Sequence, residues 1–156
     1  MSFDLFLERM VAGKSAPSDR SRVLEVLRQH CKHPADKFGF YGVEFADGSH
    51  VEFSAKHLES DGNFTGCAFH LRGFTPSVIT FVFAVAVAGD MIIFNAQGLD
   101  SSENPLAILV GPAQLAHLPA GAAVNPVLCS SPNQLAQLLG VGFEQWTMFR
   151  DRAIGN

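Results

Sequence analysis

The eleven nearly all-apolar residues from Val78 to Ala88, set between Thr75-Pro76-Ser77 and Gly89-Asp90, constrain this chain more than any other stretch. Thr75 can cap a helix by accepting a backbone N–H, and Pro76 suits the first helical position, where its missing donor would go unpaired. Gly89 can take the left-handed conformation that ends a helix. The β-branched residues Val78, Ile79, Thr80, Val82, Val85 and Val87 favour a strand. The capped run is nevertheless longer than a buried strand of about 4 to 8 residues, so we read a helix. Val78, Phe81, Val82 and Val85 fall on one face at helical spacing, with Ile79, Phe83 and Ala86 beside them. A helix apolar on nearly every side is buried on most sides. A membrane span needs about 20 uninterrupted apolar residues, and Gly89-Asp90 cuts the run short of that. Met91 to Phe94 then reads as a central strand.

A chain of 156 residues, 47% hydrophobic and 17% charged, builds a real core and is read as one domain, residues 1–156. The formal charge of −4 gives no electrostatic case for nucleic acid or an anionic membrane. Three cysteines, Cys31, Cys67 and Cys129, make no disulfide framework and suit a reducing compartment. Met1-Ser2-Phe3-Asp4 lacks the basic start and apolar run of a secretory signal, so a cytoplasmic location is expected.

Phe3, Leu5 and Leu7 alternate with Asp4 and Glu8 as a first strand, in which Phe6 breaks the pattern and points to burial on both faces. Gly13 to Pro17 reads as a polar loop. Ser18 is placed as the cap of a helix carrying Val23, Leu24, Val26, Leu27, His30 and Cys31, which stops before Pro34. Phe38 to Ala46 and His50 to Ala55 are strands around Asp47-Gly48. Pairing Phe45 with Val51, Val43 with Phe53 and Tyr41 with Ala55 keeps the apolar face whole, which demands an odd-numbered loop. Asp61-Gly62-Asn63 marks another turn, and Phe64 to Arg72 a third strand with Cys67, Phe69 and Leu71 on one face. Residues 1–96 thus read as a strand, a helix, a three-strand meander, a helix and a strand: an α+β fold with a mostly antiparallel sheet and both helices on one face.

Beyond Gly98 to Asn104 the chain repeats itself. Pro112-Ala-Gln-Leu-Ala-His-Leu118 and Pro132-Asn-Gln-Leu-Ala-Gln-Leu138 match at Pro, Gln, Leu, Ala and Leu. Each follows a short apolar run, Leu106 to Val110 or Val127 to Cys129, giving two βα units over 105–140 with parallel strands and short helices that bury Leu115 and Leu118, or Leu135 and Leu138. A last helix over 143–154 is expected to pack through Trp146, Met148, Phe149 and Ile154, and Gly155-Asn156 to fray.

Motifs for chemistry are few. A zinc site needs about four converging ligands, and Cys67 and His70, three apart in a strand, face opposite ways. No Gly-x-Ser-x-Gly elbow occurs, and Gly140-Val-Gly142 lacks the preceding strand and further glycine of a dinucleotide site. No metal and no cofactor are expected. Carboxylates Glu44, Asp47, Glu52, Glu59 and Asp61 gather on the meander, as a solvated face or as a patch for a basic protein.

The opening Met1-Ser-Phe-Asp-Leu-Phe-Leu7, the Asp47-Gly48 hairpin, Val110-Gly-Pro-Ala-Gln-Leu-Ala-His-Leu-Pro119 and Pro126-Val-Leu-Cys-Ser-Ser resemble a family of small uncharacterised bacterial proteins. The likeness touches most of residues 1–139, with Glu144 onward as an added tail. It implies a bacterial, cytoplasmic, non-enzymatic protein of the kind that includes immunity partners of toxins.

The expected function is therefore a non-enzymatic protein-binding module, an inhibitor of a toxin included, presenting Glu44, Asp47, His50, Glu52 and Asp61 to its partner. The alternative is a small-molecule binding or regulatory domain holding an anion at Gly111, Ser130 and Ser131, where helix N-termini offer unpaired N–H groups. A hydrolase using Cys31, His33 or His70 is the third reading.

Overall fold

A computed structural model describes residues 2–155; Met1 and Asn156, the latter expected to fray, lie outside the described residues. The strands are β1 (Phe3–Glu8), β2 (Met10–Val11), β3 (Lys14–Ser15), β4 (Phe40–Glu44), β5 (His50–Ser54), β6 (Gly66–Leu71), β7 (Ile92–Asn95), β8 (Ala107–Leu109) and β9 (Val127–Leu128). The helices are α1 (Arg20–Arg28), α2 (Pro76–Gly89) and α3 (Pro132–Ala153), with a 3₁₀ helix over Pro112–His117. Seven strands form one mixed sheet in the order β4-β5-β6-β1-β7-β8-β9, antiparallel except for the β8–β9 pair. The fold is α+β, as the patterning requires. None of the described helices is long and apolar enough to cross a membrane.

One face of the sheet carries the main core. Leu5 and Leu7 of β1, Phe53 of β5 and Phe69 of β6 meet Val23 and Leu27 of α1, Val78, Phe81, Val82 and Val85 of α2, and Leu135 and Leu139 of α3. Phe81 is 1% exposed, with ring centroids of Phe45, Phe53 and Phe69 at 5.7, 5.8 and 5.9 Å. A smaller core lies on the opposite face at the other end, where Ile92, Ala107 and Leu109 are covered by Met10, Leu118 and Ala123.

Helix α2 begins as expected: the Thr75 side chain accepts the Val78 N–H and Pro76 opens the first turn. Its end differs. Gly89 stays helical and Asp90 takes the left-handed conformation, at φ 52°. An aspartate tolerates that region better than most residues, and Gly89 is needed for another reason. A Cβ there would stand 2.7 Å from Ser18 Oγ, which donates to the Gly89 carbonyl at 2.7 Å. Ser18 therefore serves α2, and the cap of α1 is Asp19, whose carboxylate accepts the Arg22 N–H.

Four further expectations are corrected. Lys14 and Ser15, read as loop, pair with Met10 and Val11 in a small hairpin whose turn uses Ala12 and Gly13 at positive φ. The β4–β5 register keeps the apolar face whole over an odd-numbered loop, but Val43 faces Val51 and Tyr41 faces Phe53, two residues from the expected pairs. The cause lies in the turn, where Asp47 accepts from the Ser49 N–H and hydroxyl and from Ser77 Oγ, drawing the loop against the start of α2. Phe6 is not buried on both faces; it is 46% exposed. Finally, the two short helices of the C-terminal third are unlike each other. The first is 3₁₀, so Gln114 turns inward and Leu115 is exposed; the second runs unbroken to Ala153, absorbing the separate helix expected over 143–154. Trp146 is buried by Phe3 and Phe143, whereas Met148, Phe149 and Ile154 face outward. Where the α3 face passes the loop after β7, Gly142 brings the backbone beside Asn104, whose side chain bonds Asn95.

Candidate functional site

The strands of the meander and β1 leave one sheet face without a helix. Cross-strand register lines that face with two rows. Gly42, Glu52, His70 and Asp4 follow one another from β4 to β1. Beside them run Phe40, Ser54, Ala68, Phe6 and Phe94, from β4 to β7. Period-two alternation puts both rows opposite the helices. The polar row is internally bonded: Asp4 Oδ1 lies 3.0 Å from His70 Nδ1 and accepts from Ser2 Oγ at 2.6 Å. A carboxylate only accepts, so Nδ1 is the donating nitrogen. The His70 ring also rests 5.5 Å from Phe40, and Arg72 reaches Glu52 at 3.9 Å.

The residues expected to meet a partner divide. Glu44, His50 and Glu52 share this open face, with Glu44 directly opposite His50. Asp47 belongs to the β4–β5 turn, where bonds from Ser49 and Ser77 hold its carboxyl below the usual carboxylate range. Asp61 lies in the loop beyond Ser54, at the other end of β5. Glu59 is occupied by Arg28 and by the Tyr41 hydroxyl at 2.6 Å. Burial raises the Tyr41 phenol above its ordinary value, so it stays a donor. The acidic residues on the open face are thus Glu44 and Glu52, joined by Asp4 and Glu8 of β1. Sequence reasoning missed the aromatic row. Its signal is Phe6 itself, an apolar residue at an outward position of β1.

Because Asp47 is depressed by bonds made only in the folded turn, its contribution is complete above the unfolded carboxyl pKa of about 3.9 and disappears as pH falls through the lower folded value. Urea midpoints measured from pH 5 to pH 2 are expected to fall less for Asp47→Asn than for the parent chain.

The residues expected to hold an anion come to one edge of the sheet, where glutamine side chains take two of the nearby N–H groups. Parallel pairing of β8 and β9 brings Gly111 and the Ser130-Ser131 pair to the same edge of the sheet. Gln114 Oε1 accepts the Val110 N–H at 2.8 Å, and Gln134 Oε1 accepts the Ser130 N–H at 2.9 Å. The repeat is therefore a capping device, in which a glutamine two residues after the proline folds back over its own helix start. Ser131 Oγ accepts the Gln134 N–H at 3.2 Å, and Ser131→Ala is expected to cost about 1 kcal/mol in chemical denaturation.

The hydrolase residues are not brought together. Cys31 is buried at the end of α1 with its thiol toward the His33 carbonyl, while His70 belongs to the opposite sheet face. Burial, with Glu8 nearby, pushes the Cys67 thiol well up, and burial raises Cys129 as well, so both remain protonated. Among the described residues no three His, Cys, Asp or Glu side chains are placed to hold one metal ion. No protein-family model, curated protein or solved structure significantly matches this chain.

Proposed function

We propose that this chain is a protein-binding module that docks a basic partner on the open face of its sheet. One observation carries the reading: a cross-strand row sets the exposed Phe6 and the half-buried Phe40 between acidic side chains with no helix over them, although the remainder of the same face, where Phe94 packs with Ile92 and Leu109, has its own cover. Aromatic anchors surrounded by charge are the composition of a binding surface, with the apolar centre supplying affinity and the acidic rim speeding encounter. Among the described residues Asp4, Glu8, Glu44 and Glu52 set the sign of that rim, with Arg72 beside Glu52, so the complementary surface is cationic.

The resemblance to small uncharacterised bacterial proteins, a kind that includes immunity partners of toxins, makes a cationic toxin the first partner class to test. Affinity capture from an extract of the encoding organism is expected to retain a stoichiometric basic protein, which a Phe6→Ser, Phe40→Ser double variant loses. Raising salt should weaken capture by slowing association. Glu52→Ala should leave stability within about 0.5 kcal/mol, which separates binding from folding. Capture of no stoichiometric partner, or of one retained equally by the double variant, would overturn the reading.

A further inference from the structure

Strand β4 ends the sheet, and its outer edge is only half used. The Phe45 N–H bonds the Ser49 carbonyl at 2.9 Å, which makes Phe45, Val43 and Tyr41 the residues whose backbones face β5. Phe40, Gly42 and Glu44 therefore direct their N–H and C=O groups outward. Phe40 is already served, since Asp36 Oδ1 accepts its N–H at 3.0 Å and its carbonyl accepts the Asp36 N–H at 2.8 Å. The outward groups of Gly42 and Glu44 have no partner among the described residues. They front a cleft of about 400 Å³ whose other wall is His30, Lys32 and His33 at the end of α1. Gly42 carries no side chain, and the space where a Cβ would stand, on the open face of the sheet, is empty. The edge also lacks the proline, the bulge and the inward-pointing charge with which proteins commonly protect such strands.

We infer that this cleft receives an extended, acidic segment of a partner protein, which adds as an eighth strand against Gly42–Glu44. Main-chain bonds to Gly42 and Glu44 would set its register, and alternate side chains would fall on the helix side of the sheet, toward Lys32 and the histidines. Charge selects the occupant. Lys32 lines the helix side of the cleft as its one cationic side chain, Arg28 behind it being paired with Glu59. Glu44, the one acidic residue among those lining it, carries its side chain on the opposite, open face. The inference concerns the sheet's edge, not its open face, and stands or falls apart from the proposed function.

The test uses the full chain and an acetylated, amidated octapeptide of alternating threonine and glutamate, followed by amide NMR. Expected are shifts and slowed hydrogen exchange at the Gly42 and Glu44 amides at millimolar peptide. N-methylation of alternate peptide amides should weaken binding about tenfold or more, because an N-methyl amide cannot donate to the edge. Replacing glutamate by lysine should weaken it as well. Gly42→Pro removes the outward donor, is tolerated on edge strands, and should abolish the effect. No change at Gly42 and Glu44, equal binding of the N-methylated or lysine peptide, or undiminished binding by Gly42→Pro would each overturn the inference. A concentration-dependent dimer in sedimentation that Gly42→Pro dissolves would overturn it too, by assigning the edge to a second copy of the chain. The N-methyl comparison decides the matter on the parent chain even if Gly42→Pro does not fold.

Discussion

Phe81→Ala is expected to lower the free energy of unfolding by roughly 3 to 5 kcal/mol, measured by urea denaturation. Its ring is 1% exposed and meets Phe45, Phe53, Phe69 and His30, the last at 5.5 Å between centroids. Helix α2 contributes no charge or polar bond through this position, so the loss would be that of apolar burial, aromatic edge contacts and the cavity left behind. Equal midpoints for Phe81→Ala and the parent chain would show that α2 is not the core element.

Trp146→Ala carries the second large effect, again roughly 3 to 5 kcal/mol for a buried aromatic reduced to alanine. Trp146 is 6% exposed, lies 6.2 Å from Phe3 and 5.2 Å from Phe143, and is overlaid by the Arg150 guanidinium at 5.0 Å. It is the last buried anchor of α3. Phe149, three residues on, is 63% exposed, and Phe149→Ala is expected to change stability by less than about 0.5 kcal/mol. Similar losses for the two variants would mean that the end of α3 packs on its other face.

The contrast between these neighbouring aromatics shows where sequence was informative. The α2 helix, its Thr75 cap, the meander and the parallel β8–β9 pair were all legible because each is marked by local patterning. Trp146 and Phe149 both look like core, and only the path of a continuous α3 past Phe3 decides which one is. Ser18 and Asp19 are both good caps; the choice depends on Gly89, seventy-one residues away, whose carbonyl takes the Ser18 hydroxyl. Likewise Leu115 matched Leu135 in the repeat, but a 3₁₀ turn places the fourth residue differently from an α turn. The candidate surface was half legible. Outward carboxylates of Glu44 and Glu52 follow from alternation, whereas the row joining Phe40, Phe6 and Phe94 exists only through strand order, since β1 sits between β6 and β7. Asp61 was grouped with the other acids by sequence proximity, and the length of β5 separates them.

The open face as a docking surface is tested most directly by the dissociation constant of the captured partner for Phe6→Asp, with Phe149→Ser as the control. The account predicts that Phe6→Asp weakens binding about thirtyfold or more, as expected at the centre of an interface, while Phe149→Ser, exposed on α3, leaves it unchanged. Equal dissociation constants for Phe6→Asp and the parent chain would contradict it.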